Sequence, residues 1–229
     1  MKRIVSLFFL LALLVSSCST PAGLTLGKNY PKMYESKPTS ILIMPPINKT
    51  VNVDAKEFFY TSMAQPLCEK GYYVISPFLA MDMLKSESAY DSEMFINSNL
   101  TSFKQVFGAD AALFTIINKW SKSTIGNSIT VNIEYILKST TSNEILFTRK
   151  GDLTIDTSVS TGTGGGTLGA LLDLAASAVN TALTDKVIAA RRCNNYVLRD
   201  LPAGCYSPLF DKDQEFAAGE PVFSGTVSQ

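Results

Sequence analysis

The 229-residue chain contains no histidine. That removes the commonest general base and metal ligand together, and with them every Ser–His or Cys–His nucleophilic pair. Cysteine is scarce: Cys18, Cys68, Cys193 and Cys205 are the only four, and no spacing among them gives a CxxC pair, so a thiolate metal site is not indicated. No basic run exceeds the length of Arg191–Arg192, and 20 basic side chains balance 20 acidic ones. A nucleic-acid surface, which needs clustered positive charge, is not supported. Among acids, the pairs Glu57 with Glu69 and Asp82 with Glu87 lack the spacing of acid–base chemistry. The single tryptophan, Trp120, follows Lys119 at the end of a strand pattern, where edge packing is the ordinary role and a partner-binding anchor the functional one.

What is present begins at the amino terminus. In MKRIVSLFFLLALLVSSCST, Lys2 and Arg3 precede an apolar stretch from Ile4 to Val15. That stretch is too short for a spanning helix, which needs roughly 20 residues, and it has the form of a signal peptide. It ends on Val15-Ser16-Ser17-Cys18, which resembles the bacterial lipobox. Cys18 is therefore the expected lipidation site, with acyl chains anchoring the mature chain to the membrane. By resemblance to sorting signals, Ser19 after the cysteine favours the outer membrane, with the periplasmic side as the default orientation. Cleavage takes Lys2 and Arg3, leaving 18 basic against 20 acidic residues. The expected organisation is a signal peptide over 1–17, a polar tether over 18–38, an α/β domain over 39–206 and a tail over 207–229.

Within the domain, Ser40–Met44 reads as a strand buried on both faces and stopped by Pro45-Pro46. Asp54 can cap a helix with apolar positions Phe58, Phe59, Met63, Ala64 and Leu67, in which Gln65-Pro66 makes a kink or starts a new turn and which ends near Gly71. Cys68 in this stretch reads as a buried small hydrophobe. A short strand at YYVIS, a helix after Pro77 and another over NLTSFKQVFG lead to strands at ADAALFTIINKW, SITVNIEYILKST and EILFTRKGDLTID. The last of these has a possible break at Gly151, and Thr141-Ser142-Asn143 makes the preceding turn. The order implies an α/β fold: a mixed β-sheet of about five strands packed with helices, plus a long C-terminal helix. The right-handed crossover rule places the early helices on one face. Cys193 and Cys205 flank a short loop that a disulfide could close.

The segments ILIMPPINKT, GYYVIS and FGADAALFTIINKW resemble the hallmark segments of a bacterial lipoprotein family of unknown function, the GNA-type family. The resemblance covers roughly Tyr30 to Tyr206. It implies a fold similar to the amino-terminal domain of TolB and to the periplasmic part of the outer-membrane secretion protein CsgG, beside which the family is typically encoded. It carries no established catalytic residue, so none is transferred.

Two motifs remain. Gly164 to Gly169 matches GxGxxG, but it follows an antiparallel meander, no parallel strand returns, and no P-loop lysine is present. The helix that follows, over residues 168–190, carries a polar stripe of Asp173, Ser177, Asn180 and Thr184 opposite an Ala-rich face. Such a helix packs on its own sheet or serves a homo-oligomer, and its central aspartate argues against spanning a membrane. Pro45, Pro46, Asn48 and Lys49 lie just past the C-terminal end of a strand, where α/β proteins place ligands; a rigid turn is the plainer reading. Asp110 reads as an acceptor of local backbone hydrogen bonds at a helix-to-strand junction. The expectation is a non-enzymatic, cofactor-free, lipid-anchored envelope lipoprotein. By the resemblance it is an accessory or docking component of a CsgG-type secretion or surface-assembly system. The alternative is a binding module for a glycan or peptide that uses the Pro45–Thr50 loop.

Overall fold

The computed structural model describes residues 23–123, 128–156 and 184–227. In chain order they form α1 (Leu26–Asn29), α2 (Pro31–Ser36), β1 (Ser40–Ile43), β2 (Ile47–Asn48), α3 (Ala55–Ser62), α4 (Ala64–Glu69), β3 (Tyr73–Val74), α5 (Pro77–Ser86), α6 (Thr101–Phe107), β4 (Ala111–Lys122), β5 (Ser128–Ser139), β6 (Ile145–Asp156), α7 (Thr184–Leu198) and β7 (Val222–Val227). The class is mixed α/β, with one seven-stranded sheet ordered β3-β1-β4-β5-β6-β7 and β2 paired to β4. Strands β1, β2 and β3 run parallel to their neighbours, β4–β5–β6 form the antiparallel meander, and β7 lies parallel to β6.

The two strands beyond the expected five have distinct origins. Pro45-Pro46 interrupts pairing, but the chain regains β4 at once, Ile47 opposite Ile116 and Asn48 opposite Ile117. The other, β7, comes from the segment read as a tail. Its approach depends on Gly151: a Cβ built there would lie 1.9 Å from the Phe223 carbonyl oxygen. Gly151 is thus no break, since β6 runs through it and Gly151 faces Phe223 in register.

β1 is buried along its whole length because its side chains enter two cores. Ile41 and Ile43 join Phe59, Met63, Leu67, Val131, Tyr135, Ala189 and Val197 on one face. Leu42 and Met44 join Ala80, Leu84, Phe103 and Phe114 on the other. The early helices therefore divide between faces rather than sharing one. The reason is strand order: β1 connects outward to β3 through α3 and α4, then β3 connects back across β1 to β4 through α5 and α6. Two right-handed crossovers of opposite direction must pass on opposite sides. The second face is covered only along β1 and the first half of β4. Beyond that, β5 and β6 alternate buried residues on the first face with half-exposed ones on the second.

Local chemistry sets the boundaries. Of the two readings at Pro66 the new turn is the one that forms: in a continuous helix its ring would clash with the Ser62 carbonyl, and Ser62 is where α3 stops, while Asp54 precedes α3 without a side-chain capping bond. Gly108 ends α6 in the left-handed conformation at φ 67, its N–H donating to the Lys104 carbonyl. Asn143 turns β5 into β6 at φ 64, as the Thr141-Ser142-Asn143 reading implies.

The tether expected over 18–38 is shorter. Residues 24–38 belong to the domain: Leu26, Tyr30 and Met33 are buried, and Pro31 occupies the first turn of α2, where a missing N–H costs nothing. Leu24–Gly27 is locked to 214–218 by hydrogen bonds from Leu26 N to Phe216 O, Gly27 N to Gln214 O and Ala218 N to Leu24 O. Cys18, the Gly-rich run and residues 168–183 of the Ala-rich helix lie outside the described residues; the last part of that helix is the start of α7.

Candidate functional site

Of the residues expected to meet a partner, only Lys49 is presented to solvent. Pro45 and Pro46 are buried, and the Pro45 carbonyl accepts a 2.6 Å hydrogen bond from the Ser92 hydroxyl. Asn48 is half-buried and organises the loop. Its Oδ1 accepts from the Thr50 N–H at 3.0 Å and the Thr50 hydroxyl at 2.8 Å, while its Nδ2 donates to the Asn52 carbonyl at 2.8 Å. This is the side-chain-closed turn that asparagine favours, and it spends the polar groups a ligand would need. Trp120 sits elsewhere. It is half-buried on the first face, edge-on to Phe59 with ring centroids 5.7 Å apart. The register shift between Ile117 and Lys119 turns it to that face.

Lys49 stands at the rim of a groove of about 550 Å³ on the second face. Ile47, Ile96, Ile116, Ile136 and Ile145 provide its apolar lining, with Glu93 and Asn97 among the polar groups. Lys138 closes it from below. That ammonium belongs to a residue only 8% exposed, donates to the Ile96 carbonyl at 2.7 Å, and has its pKa lowered by burial. The groove exists because α5 and α6 cover only part of this face. An apolar floor with one exposed and one buried amine suits an extended chain bearing an acidic group. Sequence reasoning found Lys49 but not Lys138, whose place in an alternating strand gives it a solvent-facing appearance.

Other charged groups serve the fold. Asp110 does accept backbone hydrogen bonds at its junction, but from β1 rather than from neighbours in sequence. One carboxylate oxygen takes the N–H groups of Thr39 and Ser40, each at 3.0 Å, and the other takes the Lys104 ammonium. Burial raises its pKa, and the Lys104 and β1 donors outweigh that and leave it low. Arg149 was not singled out from sequence and is the most buried cation, at 1% exposure. It pairs with Asp200 at 3.1 Å and donates to the carbonyls of Tyr196 and Val197 at the end of α7 and of Glu220 before β7.

The Cys193–Cys205 bridge that the short loop would allow is not formed in this structure. Both are free thiols, as is Cys68. Cys193 points into the core beside Tyr135, where burial pushes its thiol up to about 12, whereas Cys205 lies in the half-exposed segment after α7. Cys68 is exposed rather than buried, because α4 turns Pro66 and Leu67 inward instead. Among the described residues no group of three or more His, Cys, Asp or Glu is placed to hold a metal ion, and no helix is long and apolar enough to cross a membrane.

Comparison with known proteins identifies the lineage. The chain belongs to the family described as "Putative lipoprotein GNA1162-like", which matches residues 28–204. It is 28% identical over 160 residues to "Putative lipoprotein NMB1124/NMB1162" of Neisseria meningitidis serogroup B, covering 69% of this chain and 73% of that protein. Among solved structures it is similar to lipoprotein GNA1162 from Neisseria meningitidis, at 22% identity and a TM-score of 0.47, covering 63% of this chain and 100% of that one. It is also similar to the dodecamer of a PelC point variant from Paraburkholderia phytofirmans, at 16% identity and a TM-score of 0.39, covering 73% and 91% of the two chains. A third likeness is to the LpoB C-terminal domain from Escherichia coli, at 18% identity and a TM-score of 0.34, covering 56% and 96%.

Proposed function

We propose that this member of a lipoprotein family is a non-enzymatic docking component of the cell envelope. Acyl chains on Cys18 hold it at the outer membrane, on the periplasmic side, and its α/β domain engages a CsgG-type secretion or surface-assembly protein. The observation that supports anchoring most directly is the nearness of domain and lipobox: Leu24, six residues after Cys18 in the chain, is already hydrogen-bonded into the domain through the Ala218 N–H. Anchoring over so short a link confines the domain to the membrane surface and raises its effective concentration for a membrane-embedded partner. Docking is supported by apolar side chains that the fold leaves outside, above all Phe78, Leu79 and Met83 on α5. In-cell crosslinking followed by identification of captured proteins tests the reading. A CsgG-like pore among the adducts is the expected result, and its consistent absence overturns the assignment.

The Lys49–Lys138 groove favours a second reading, a binding module for a peptide or glycan. Lys49→Glu and Lys138→Met would each weaken capture of such a ligand while leaving crosslinks to an envelope protein unchanged.

A further inference from the structure

We propose that the turn region over 206–217 rests on the bilayer, so that the domain is held in one orientation rather than swinging on its anchor. This rests on the lipid-anchor reading of Cys18. Only residues 19–23 separate Cys18 from Leu24, and an extended chain of that length reaches about 20 Å. What matters is where that link meets the domain. Leu24–Gly27 is bonded to 214–218 through Leu26 N to Phe216 O at 3.0 Å, Gly27 N to Gln214 O at 2.9 Å and Ala218 N to Leu24 O at 2.9 Å, with a bridge between Thr25 and Ala217. The root of the link cannot lift away without breaking this lock, so the 206–217 turns lie wherever the anchor pulls Leu24.

The chemistry of that surface matches a lipid headgroup layer. Tyr206 is 68% exposed, Phe216 48%, Leu209 46% and Leu24 38%. Aromatic and aliphatic side chains of this kind gain by entering the interfacial zone of a bilayer. The charge is compatible as well. Asp211 is held by Lys37 and Gln214, and Asp213 is buried against Tyr34 and the Ala203 N–H. Lys28 and Lys212 are exposed nearby, against Glu215. Anionic headgroups attract such lysines. The exposed apolar residues of α5 line other places: Phe78 lies in a pocket with Tyr60 and Ala64, and Met83 in one with Phe103 and Phe107.

Tryptophan quenching tests the orientation. The full-length acylated protein carrying Trp120→Phe receives a single reporter, Leu209→Trp or Phe216→Trp, with Lys49→Trp as the control on the second face. Each is reconstituted in phosphatidylethanolamine–phosphatidylglycerol vesicles containing phosphatidylcholine brominated on its acyl chains. Quenching several-fold greater at 209 and 216 than at 49 is expected. Because Trp120 packs on Phe59, the same ranking is also measured with Trp120 retained as a constant background. Intact mass and vesicle flotation, compared with Cys18→Ser, report on the anchor separately. If the chain is acylated and floats, yet 209 and 216 are no more quenched than 49, the orientation is wrong and the anchor stands. If the wild-type chain carries no acyl mass, the anchor reading fails and the orientation falls with it.

Discussion

Replacing Arg149 with alanine should be among the most destabilising single changes available in the domain. The guanidinium is buried, and it holds three separate pieces together: β6, which carries it; the end of α7, through the Tyr196 and Val197 carbonyls; and the approach to β7, through Glu220 O. It also lies 5.0 Å from the Phe223 ring centroid and 5.5 Å from that of Tyr196. Truncation leaves Asp200, itself 7% exposed, with only the exposed Arg199 at 3.5 Å and the Gly219 N–H at 2.8 Å, among the described residues, to meet its charge. Breaking one side of a buried pair costs about 3–5 kcal/mol. A domain of this size has only about 5–15 kcal/mol in hand, so the loss takes at least about a fifth of the total. Urea unfolding followed by circular dichroism measures it, with the slope compared to separate a stability change from a compactness change. The double variant Arg149→Met/Asp200→Leu removes the stranded charge and should regain part of the loss. It should not regain all of it, because the α7 and Glu220 carbonyls lose their donor, at about 1–3 kcal/mol for a buried group left unpaired. A single variant within about 1 kcal/mol of wild type would falsify this account of the site. So would a double variant less stable than the single one.

Gly151→Ala should free β7 from the sheet, since its methyl group would collide with the Phe223 carbonyl; limited proteolysis should cleave the C-terminal segment faster, and an unchanged pattern would contradict the register. Tyr30→Phe should stabilise by about 1 kcal/mol, because the buried Tyr30 hydroxyl has no hydrogen-bond partner, and a loss in urea would reveal one. Thiol labelling of the folded chain should modify Cys68 readily and Cys193 only on unfolding, and a Cys193–Cys205 crosslinked peptide in mass spectra would reinstate the bridge. Asp110 has a depressed folded pKa, so its contribution is fully present above the ordinary carboxylate value of about 4 and is lost as pH falls through the lower, folded value. Asp110→Asn should therefore flatten the acid limb of stability against pH, measured by urea unfolding at a series of pH values.

The strands of the meander and their turn were legible because alternation and an asparagine turn are local signals, and β4–β5–β6 pair antiparallel along nearly their whole length. The misses share a physical cause: they depend on contacts distant in sequence. Residues 24–38 read as a tether because prolines and polar residues dominate, although Leu26, Tyr30 and Met33 already stand at helical spacing. Their burial depends on β6 and on the 214–218 segment. β7 has only Phe223 and Val227 to mark it, and its place in the sheet depends on a glycine seventy-odd residues earlier. Arg149 in a strand looks like any solvent-facing base until Asp200 and the end of α7 arrive.

The same reasoning explains why the loop past β1 promised more than it delivers. Ligand sites in α/β sheets open where neighbouring strands send their connections to opposite sides, and β1 and β3 do so here. Yet Pro45 and Pro46 are buried, and Asn48 is occupied with its own turn. What remains accessible has moved outward, to Lys49 and the uncovered half of the second face. Meanwhile α1 and α2 pack on the first face, while α5 sends Ala80 and Leu84 to the second and Met81 to the first. A bilayer contact through 206–217 adjoins α1 and shares no residue with Phe78, Leu79 and Met83 of α5. Anchoring and docking thus need not compete for one surface, which is what a protein held close to its membrane requires if it is also to reach a partner there.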